Sequence, residues 1–350
     1  YWVMVRFTLP RDLYHGKGAL EALKTLKGKK AIICVGGGSM KRFGFLQRAE
    51  DYLKEAGMEV KLFEGIESDP SVDTVMKGAK VMEEYQPDWI VAIGGGSPID
   101  AAKAMWIKYE YPDTTFEDMC KVFGLPKLRT KAHFCAVSST SGTATEVTAF
   151  SVITDYEKGI KYPLADYELT PDMAIVDAEL MMTSPRGLTA CAGIDVLVHA
   201  VEAYVSIMAS EYTNGLALEA IRLVFKYLPD AYNEGTTNIK AREKMAHASC
   251  MAGMAFSNAF LGINHSMAHK LGAFHHLPHG MANSLVMTEV IRFNSVDAPT
   301  KQAAFAQYKY PNAAWRYARI ADHLGLGGNT NEEKVELLIL SLIHISEPTR

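Results

Sequence analysis

The sequence has few cysteines, and they lack the spacing of metal or disulfide sites. The chain has 350 residues and five cysteines, none of them in a C-x-x-C pair. Zinc knuckles need paired thiolates, and secreted disulfide frameworks need a dense, even set of cysteines. The scattered set therefore excludes a thiolate zinc site and predicts a reducing compartment, the cytoplasm.

Long apolar runs and an excess of positive charge are also missing. No stretch of about 18 apolar residues and no signal-like start is present, so no membrane-spanning helix is expected. The chain has 36 lysines and arginines against 40 aspartates and glutamates, for a net charge of -4. Nucleic acid and anionic membranes bind basic faces, so neither is expected as a partner.

Short β-branched runs alternate with helical patterns in the first half of the chain. Strands are predicted at residues 31–35, 59–63, 89–93, 134–138 and 174–176. Helices are predicted between them, and this alternation indicates βαβ crossovers and a parallel sheet. Residues 150–165 instead predict a hairpin with its turn at 155–159.

Apolar spacing changes after Pro185. From Leu188 onward apolar residues recur at intervals of three and four, which is typical of helices. The length also suits two domains. We therefore predict an α/β domain over residues 1–186 and an all-α domain over 187–340, with the reaction in the cleft between them.

Histidines and one aspartate in the helical half have the spacing of metal ligands. Asp195 and His199 are four apart, His265 and His269 repeat that offset, and His279 follows a proline. Residues four apart share one helix face. Three imidazoles and one carboxylate suit Fe(II) or Zn(II) with a position left for a substrate oxygen. The spacing alone does not choose between His265 and His269.

A single histidine in a helix is more often a structural residue with ordinary hydrogen-bond partners. We keep that interpretation for three histidines that have no partner completing the set: His247, His275 and His276.

A glycine-rich loop, residues 94–100, follows a predicted strand and opens a helix. Its backbone N–H groups could receive a pyrophosphate. An ordinary helix start, with Ser97 as N-cap and a Ser97–Asp100 capping box, would explain the same residues. A hydroxyl-rich turn at residues 138–143 follows the next strand, and Lys161 could supply a point charge, although caps and solvated lysines are common. The predicted nucleotide-binding residues here are Gly95, Gly96, Ser97, Asp100, Thr140, Thr143 and Lys161.

These segments resemble the iron-containing (group III) alcohol dehydrogenases. The resemblance runs from about Arg6 to about Leu338 and is most specific over residues 193–204 and 265–280. It implies a dinucleotide-binding α/β domain with a parallel sheet and an all-α metal-binding domain. It also implies a homodimer that transfers hydride reversibly between a primary alcohol, or its aldehyde, and NAD(P). The implied ligands of Fe(II) or Zn(II) are Asp195, His199, His265 and His279, with His269 as a proton relay.

The sequence departs from the family pattern at the loop after the second strand. Members that prefer NAD(H) carry an acid there, which binds the ribose 2′-OH and repels a 2′-phosphate. Here Gly37 is at that place, followed by Gly38 and Ser39, with Lys41 and Arg42 close behind. We therefore predict that NADP(H) is accepted and preferred to NAD(H).

A second departure is the end of the chain. Residues 341–350 do not resemble the family and are interpreted as a non-native tail, so the helical domain is expected to be truncated. Two alternatives to the alcohol dehydrogenase interpretation remain. One is a polyol oxidoreductase resembling glycerol dehydrogenase, and the other is a truncated, inactive metal-binding fragment.

Overall fold

The computed structural model describes residues 4–296 and 312–349, which divide into two compact units after Met182. The predicted boundary lay after residue 186, where a long helix begins. Each unit has its own core.

A six-stranded parallel sheet forms the centre of the first unit. Its strands, in spatial order, are β1 (Asp12–His15), β8 (Met173–Val176), β5 (His133–Ser138), β4 (Trp89–Gly94), β2 (Lys30–Val35) and β3 (Glu59–Phe63). All neighbours pair in parallel. The predicted α/β class and its five predicted strands are confirmed, whereas β1 was not predicted. β1 is a short edge strand with mostly exposed side chains, so it lacks the apolar run that marks the others.

Helices cover both faces of this sheet. They are α1 (Ser39–Arg42), α2 (Phe45–Glu55), α3 (Val72–Tyr85), α4 (Gly96–Glu110) and α5 (Phe116–Met119). Alternate residues of β2 enter different cores, since Ile32 packs with Trp106 of α4 while Ile33 packs with Leu46 of α2. Burial on both faces explains why these strands are apolar throughout rather than at every second residue.

The predicted hairpin is confirmed as β6 (Phe150–Asp155) paired antiparallel with β7 (Ile160–Ala165). A buried lysine of α4 holds the segment that leads into it. Lys103 is 0% exposed, and its ammonium donates to the carbonyl oxygens of Thr145 (2.8 Å), Thr148 (2.7 Å) and Phe150 (3.0 Å). Burial lowers the pKa of Lys103, whereas the nearby carboxylates of Asp100 and Glu146 and the three carbonyl acceptors stabilise the buried ammonium.

We expect Lys103→Met to destabilise the first unit by about 2–4 kcal/mol, because it leaves buried carbonyl oxygens without a donor. Urea unfolding followed by tryptophan fluorescence measures this, since Trp106 lies in the same helix and is buried. Lys80→Met, at an exposed position of α3, is the matched control and should change stability by less than about 0.5 kcal/mol. Equal effects of the two substitutions would contradict the role given to Lys103.

The second unit is helical in all the elements described, as predicted. Its helices are α6 (Arg186–Val205), α7 (Glu211–Glu234), α8 (Ile239–Ala259), α9 (Ile263–His275), α10 (His279–Ser295), α11 (Ala313–His323) and α12 (Asn331–Ser346). Helix α6 packs against α7, α8 and α10. By length and composition alone α6 could cross a bilayer, but 78% of its apolar window is buried inside the fold, as in a core helix.

Residues 341–346, interpreted from the sequence as part of a non-native tail, continue helix α12. Leu342 is fully buried and extends the apolar face formed by Val335, Leu338 and Ile339. The interpretation of residues 341–350 as a non-native tail stays a prediction, because apolar side chains at helical spacing extend a helix whatever their origin.

Candidate metal centre and nucleotide-binding loops

Three loops of the first unit lie side by side at one edge of the sheet. They follow β2, β4 and β5, which are adjacent strands, so their carboxyl ends meet. A cavity of about 230 Å³ opens there. Its lining includes Gly36, Gly37, Ser39, Gly95, Gly96, Ser97 and Ser139. Of the predicted nucleotide-binding residues, Gly37, Ser39, Gly95, Gly96 and Ser97 line this cavity, whereas Gly38, Asp100, Thr140, Thr143 and Lys161 are not part of its lining.

The glycine loop after β4 packs tightly against the hydroxyl-rich turn after β5. A Cβ atom added at Gly95 would lie 3.2 Å from Thr140, and one at Gly96 would lie 3.0 Å from Thr143. Larger residues would therefore push the two loops apart. Thr140 and Thr143 contact the glycines, and this contact explains why two adjacent glycines are needed.

The capping box considered from the sequence does not form. Helix α4 begins at Gly96, and its N-cap, Gly95, makes no side-chain cap hydrogen bond. Ser97 Oγ instead accepts from the backbone N–H of Asp69 (3.3 Å), and the Asp100 carboxylate accepts from Val152 N (3.1 Å). An uncapped helix start beside a cavity keeps its N–H groups and its positive dipole end available to an anion.

Lys161 of the hairpin is paired with Asp69, an acid that the sequence analysis does not single out. Its ammonium lies 2.8 Å from Asp69 Oδ1, and Tyr156 Oη donates to the Asp69 carbonyl oxygen (2.9 Å). Asp69 therefore ties the hairpin to Ser97 of the glycine loop. Lys161 is held near that loop, but its charge is already balanced.

Three helices of the second unit bring one carboxylate and three imidazoles together. Helix α6 supplies Asp195 and His199, α9 supplies His265, and α10 supplies His279. One candidate ligand atom of each lies within 4.8 Å of the others. His279 is the first residue of α10, with Pro278 as its N-cap. The next residue is glycine because a Cβ atom there would lie 1.9 Å from the carbonyl oxygen of Cys191 on α6.

The donor atoms are close enough for a single ion. Asp195 Oδ1 lies 3.7 Å from His199 Nε2, 3.4 Å from His265 Nε2 and 3.3 Å from His279 Nε2. Bonds of about 2.0–2.2 Å in a tetrahedral site place donors about 3.4 Å apart. Asp195, His199 and His265 are buried, whereas the His279 side chain is 39% exposed. The set is therefore open to solvent on the His279 side.

Burial and mutual charge set the protonation of these groups. Burial lowers the pKa of His199 to about 3, which favours the neutral imidazole that metals bind. Burial opposes ionisation of Asp195, but the facing His199 and His279 outweigh it and hold the pKa of Asp195 well below its usual range. Burial also opposes charge on His265, yet hydrogen bonds with Asp195 and Glu202 raise its pKa to about 9.

Glu202 is a site residue that the sequence argument missed. Its Oε2 pairs with His265 Nδ1, and its Oε1 accepts from the backbone N–H groups of Gly262 (3.1 Å) and Asn264 (2.8 Å). A carboxylate on Nδ1 fixes the tautomer and leaves the Nε2 lone pair free for a metal. Glu202 follows His199 by three residues on α6, so helical spacing could have found it.

His269 lies one turn beyond His265 on α9 but outside the donor set. It is exposed, and its ring centroid is 5.2 Å from that of His279 and 6.1 Å from that of His265. Of the two histidines that spacing could not separate, the structure therefore brings His265 to Asp195. His275 and His276 are exposed and also lie outside the set.

Comparisons with known proteins agree with this arrangement. A family model described as iron-containing alcohol dehydrogenase matches residues 10–178, and one for the C-terminal part of the Fe-containing alcohol dehydrogenase family matches residues 189–347. The second match extends to residue 347, past residues 338–340, where the resemblance was expected to end. The structure is also similar to that of a 1,3-propanediol oxidoreductase, with a TM-score of 0.88, 34% identity, and coverage of 99% of this chain and 87% of that one.

Two curated relatives are similar over nearly the whole chain. The NADPH-dependent butanol dehydrogenase of Clostridium saccharobutylicum is 58% identical over 336 residues, which cover 96% of this chain and 82% of that protein. The aldehyde-alcohol dehydrogenase of Clostridium acetobutylicum is 51% identical over 348 residues, and the chain spans only 40% of its length. The chain therefore belongs to the iron-containing alcohol dehydrogenase family and is an oxidoreductase.

Proposed function

We propose that the chain is a metal-dependent alcohol dehydrogenase that transfers hydride reversibly between a primary alcohol, or its aldehyde, and NADP(H). The observation that carries this proposal is the convergence of Asp195 with the imidazoles of His199, His265 and His279. Family membership supports the reaction class. The predicted preference for NADP(H) is supported by the absence of an acid at Gly37 and by a relative named as NADPH-dependent.

The donor set fits a divalent transition metal. Three neutral imidazole nitrogens and one carboxylate oxygen suit Fe(II) and Zn(II) equally, and the partly exposed His279 side leaves room for a substrate oxygen. When bound, the ion would supply Lewis acidity toward that oxygen and the nicotinamide would carry the hydride.

Different side chains of the protein are proposed to bind the metal, to position a ligand and to transfer the proton. Asp195 and the three imidazoles hold the cation, and Glu202 keeps His265 in the tautomer that binds it. His269 is proposed to exchange the alcohol proton with solvent, because its imidazole is exposed and lies beside His279. In the first unit, the uncapped start of α4 is proposed to bind the pyrophosphate.

We expect Lys161→Ala to raise KM for NADPH about 5- to 10-fold with little change in kcat. The lost charge–phosphate contact is worth about 1–1.4 kcal/mol, because breaking the Asp69 pair offsets part of a charged hydrogen bond. Steady-state kinetics with varied NADPH measures the change. Lys158→Ala is the matched control, since Lys158 lies on the same hairpin and pairs with Asp155 at 3.6 Å. The same increase in KM for NADPH in both variants would show that Lys161 does not contribute to the nucleotide site.

One experiment tests the proposed function. Purified chain is analysed for iron and zinc and then assayed with an aldehyde panel, and with glycerol, using NADPH and NADH. Bound metal with NADPH-dependent reduction of butyraldehyde is the expected result. Turnover of glycerol in preference to simple alcohols would favour the polyol alternative. Metal without turnover would favour the inactive metal-binding fragment.

A homodimer and a cytoplasmic location also remain proposals. The first rests on the family resemblance, and sedimentation at several concentrations tests it. The second is supported by five cysteines that are all free thiols, as a reducing compartment would keep them.

A further inference from the structure

A buried amide reaches into the candidate metal centre without belonging to the predicted ligands. Asn283 lies on α10, four residues after His279, and is 0% exposed. Its Nδ2 lies 2.9 Å from Asp195 Oδ1, 3.3 Å from His265 Nε2 and 3.3 Å from His279 Nε2. The amide nitrogen therefore caps one face of the triangle formed by these three donor atoms.

A chain of hydrogen bonds fixes the direction of this amide. Asn283 Oδ1 accepts from Asn264 Nδ2 (2.9 Å), and the backbone N–H of Asn264 donates to Glu202 Oε1 (2.8 Å). The other oxygen of Glu202 pairs with His265. Asn264 Nδ2 also donates to the backbone carbonyl oxygen of Asn283 (3.3 Å), which sets the direction of the Asn264 amide and so turns Asn283 Oδ1 toward it and Asn283 Nδ2 toward the donor atoms. The chain also links α6, α9 and α10, which supply all four candidate ligands.

We propose that Asn283 is a positioning residue that closes one face of the donor triangle and thereby limits how many ligands a bound cation can take. This inference rests on the proposed metal centre. The hydrogens of the amide carry partial positive charge, which disfavours a cation on that face, and the amide fills the space that an additional water would need. The amide also occupies one lone pair of Asp195 Oδ1. The open coordination position is left to the faces that Asn283 does not cover, on the partly exposed side of His279.

Removing the amide should change the coordination of the metal as well as its affinity. In Asn283→Ala, water can reach the uncovered face, so a cation gains a ligand while Asp195 loses the group that orients it. Loss of an orienting partner of this kind weakens metal binding about 10- to 100-fold. Asn283→Asp keeps the shape of the side chain but offers a carboxylate in place of a donor, so it too adds a ligand, without weakening the affinity.

Cobalt(II) provides a readout that does not depend on turnover. Visible absorption of Co(II) weakens stepwise as the coordination number rises from four to five to six. The full-length chain is titrated with Co(II), and the dissociation constant and the visible spectrum are recorded. We expect weaker visible bands in both variants and weaker binding in Asn283→Ala alone. Asn258→Ala is the matched control, because Asn258 is also buried but donates to Met254 O on α8.

The outcomes separate this inference from the proposed function. An original chain that binds no Co(II) would refute the metal centre itself. A second result is that the original chain binds Co(II) as expected while both Asn283 variants match Asn258→Ala in dissociation constant and visible spectrum. That result would refute only the role of Asn283. If circular dichroism shows that Asn283→Ala is unfolded, the spectrum of Asn283→Asp decides alone, and an unchanged spectrum overturns the inference.

Discussion

A His265→Ala chain is expected to lose its metal and its dehydrogenase activity together. His265 supplies one of the three nitrogens around Asp195 Oδ1. Structural zinc sites gain about 10–16 kcal/mol from four ligands, so one ligand contributes about 3 kcal/mol, or roughly 100-fold in affinity. The substitution also leaves Glu202 buried without its imidazole partner. Metal analysis after dialysis and NADPH oxidation with butyraldehyde measure the two losses.

His275→Ala is the matched control for this prediction. His275 lies at the end of the same helix, α9, but is exposed and outside the donor set. This variant should keep both metal and activity. If His265→Ala also keeps its metal and its activity, the assignment of His265 as a ligand is refuted. If it keeps the metal but loses activity, His265 is needed for activity in some way other than binding the metal.

Introducing an acid at Gly37 is expected to shift the cofactor preference from NADPH toward NADH. A carboxylate there would accept from the ribose 2′-OH of NADH and repel the 2′-phosphate of NADPH. A Cβ atom added at Gly37 meets no atom within 4 Å, and its φ is not in the left-handed region, so aspartate fits without strain. A charged hydrogen bond of about 1.5–3 kcal/mol predicts a change of about 10- to 100-fold in the ratio of kcat/KM values.

Gly37→Asn separates charge from size, because asparagine has the shape of aspartate without its charge. It should leave the NADPH preference largely in place. A similar shift toward NADH in both variants would mean that the size of the side chain at residue 37, rather than its charge, determines the cofactor preference. A clear NADH preference of the unaltered chain would overturn the prediction that NADP(H) is preferred.

The fold was predictable where one local signal decides it. The apolar runs of β2, β4 and β5 are buried on both faces, so the sequence marks them clearly. The order of strands in the sheet has no such signal, because it depends on pairing between segments distant in the chain. β1 was missed for a related reason, since its stability comes from pairing with β8 rather than from its own side chains.

The candidate metal site was predictable only in part. Helical spacing identified Asp195 with His199, but it could not separate His265 from His269, which share a face of α9. Burial separates them, since His265 lies in the covered first part of α9 and His269 in the exposed part. The contacts of Asn283 depend on how α10 packs against α6 and α9, and no spacing within one helix reports that.

Helix α6 has a consequence for how the chain is made. Of the described helices it has the length and composition closest to those of a membrane span, and it is covered mainly by α7, α8 and α10. Ribosomes add about 5–20 residues per second, so α6 emerges several seconds before α8 is complete and longer before α10. During that interval the apolar surface of α6 is exposed in the nascent polypeptide. Chaperones that bind exposed apolar segments are therefore expected to raise the yield of folded chain.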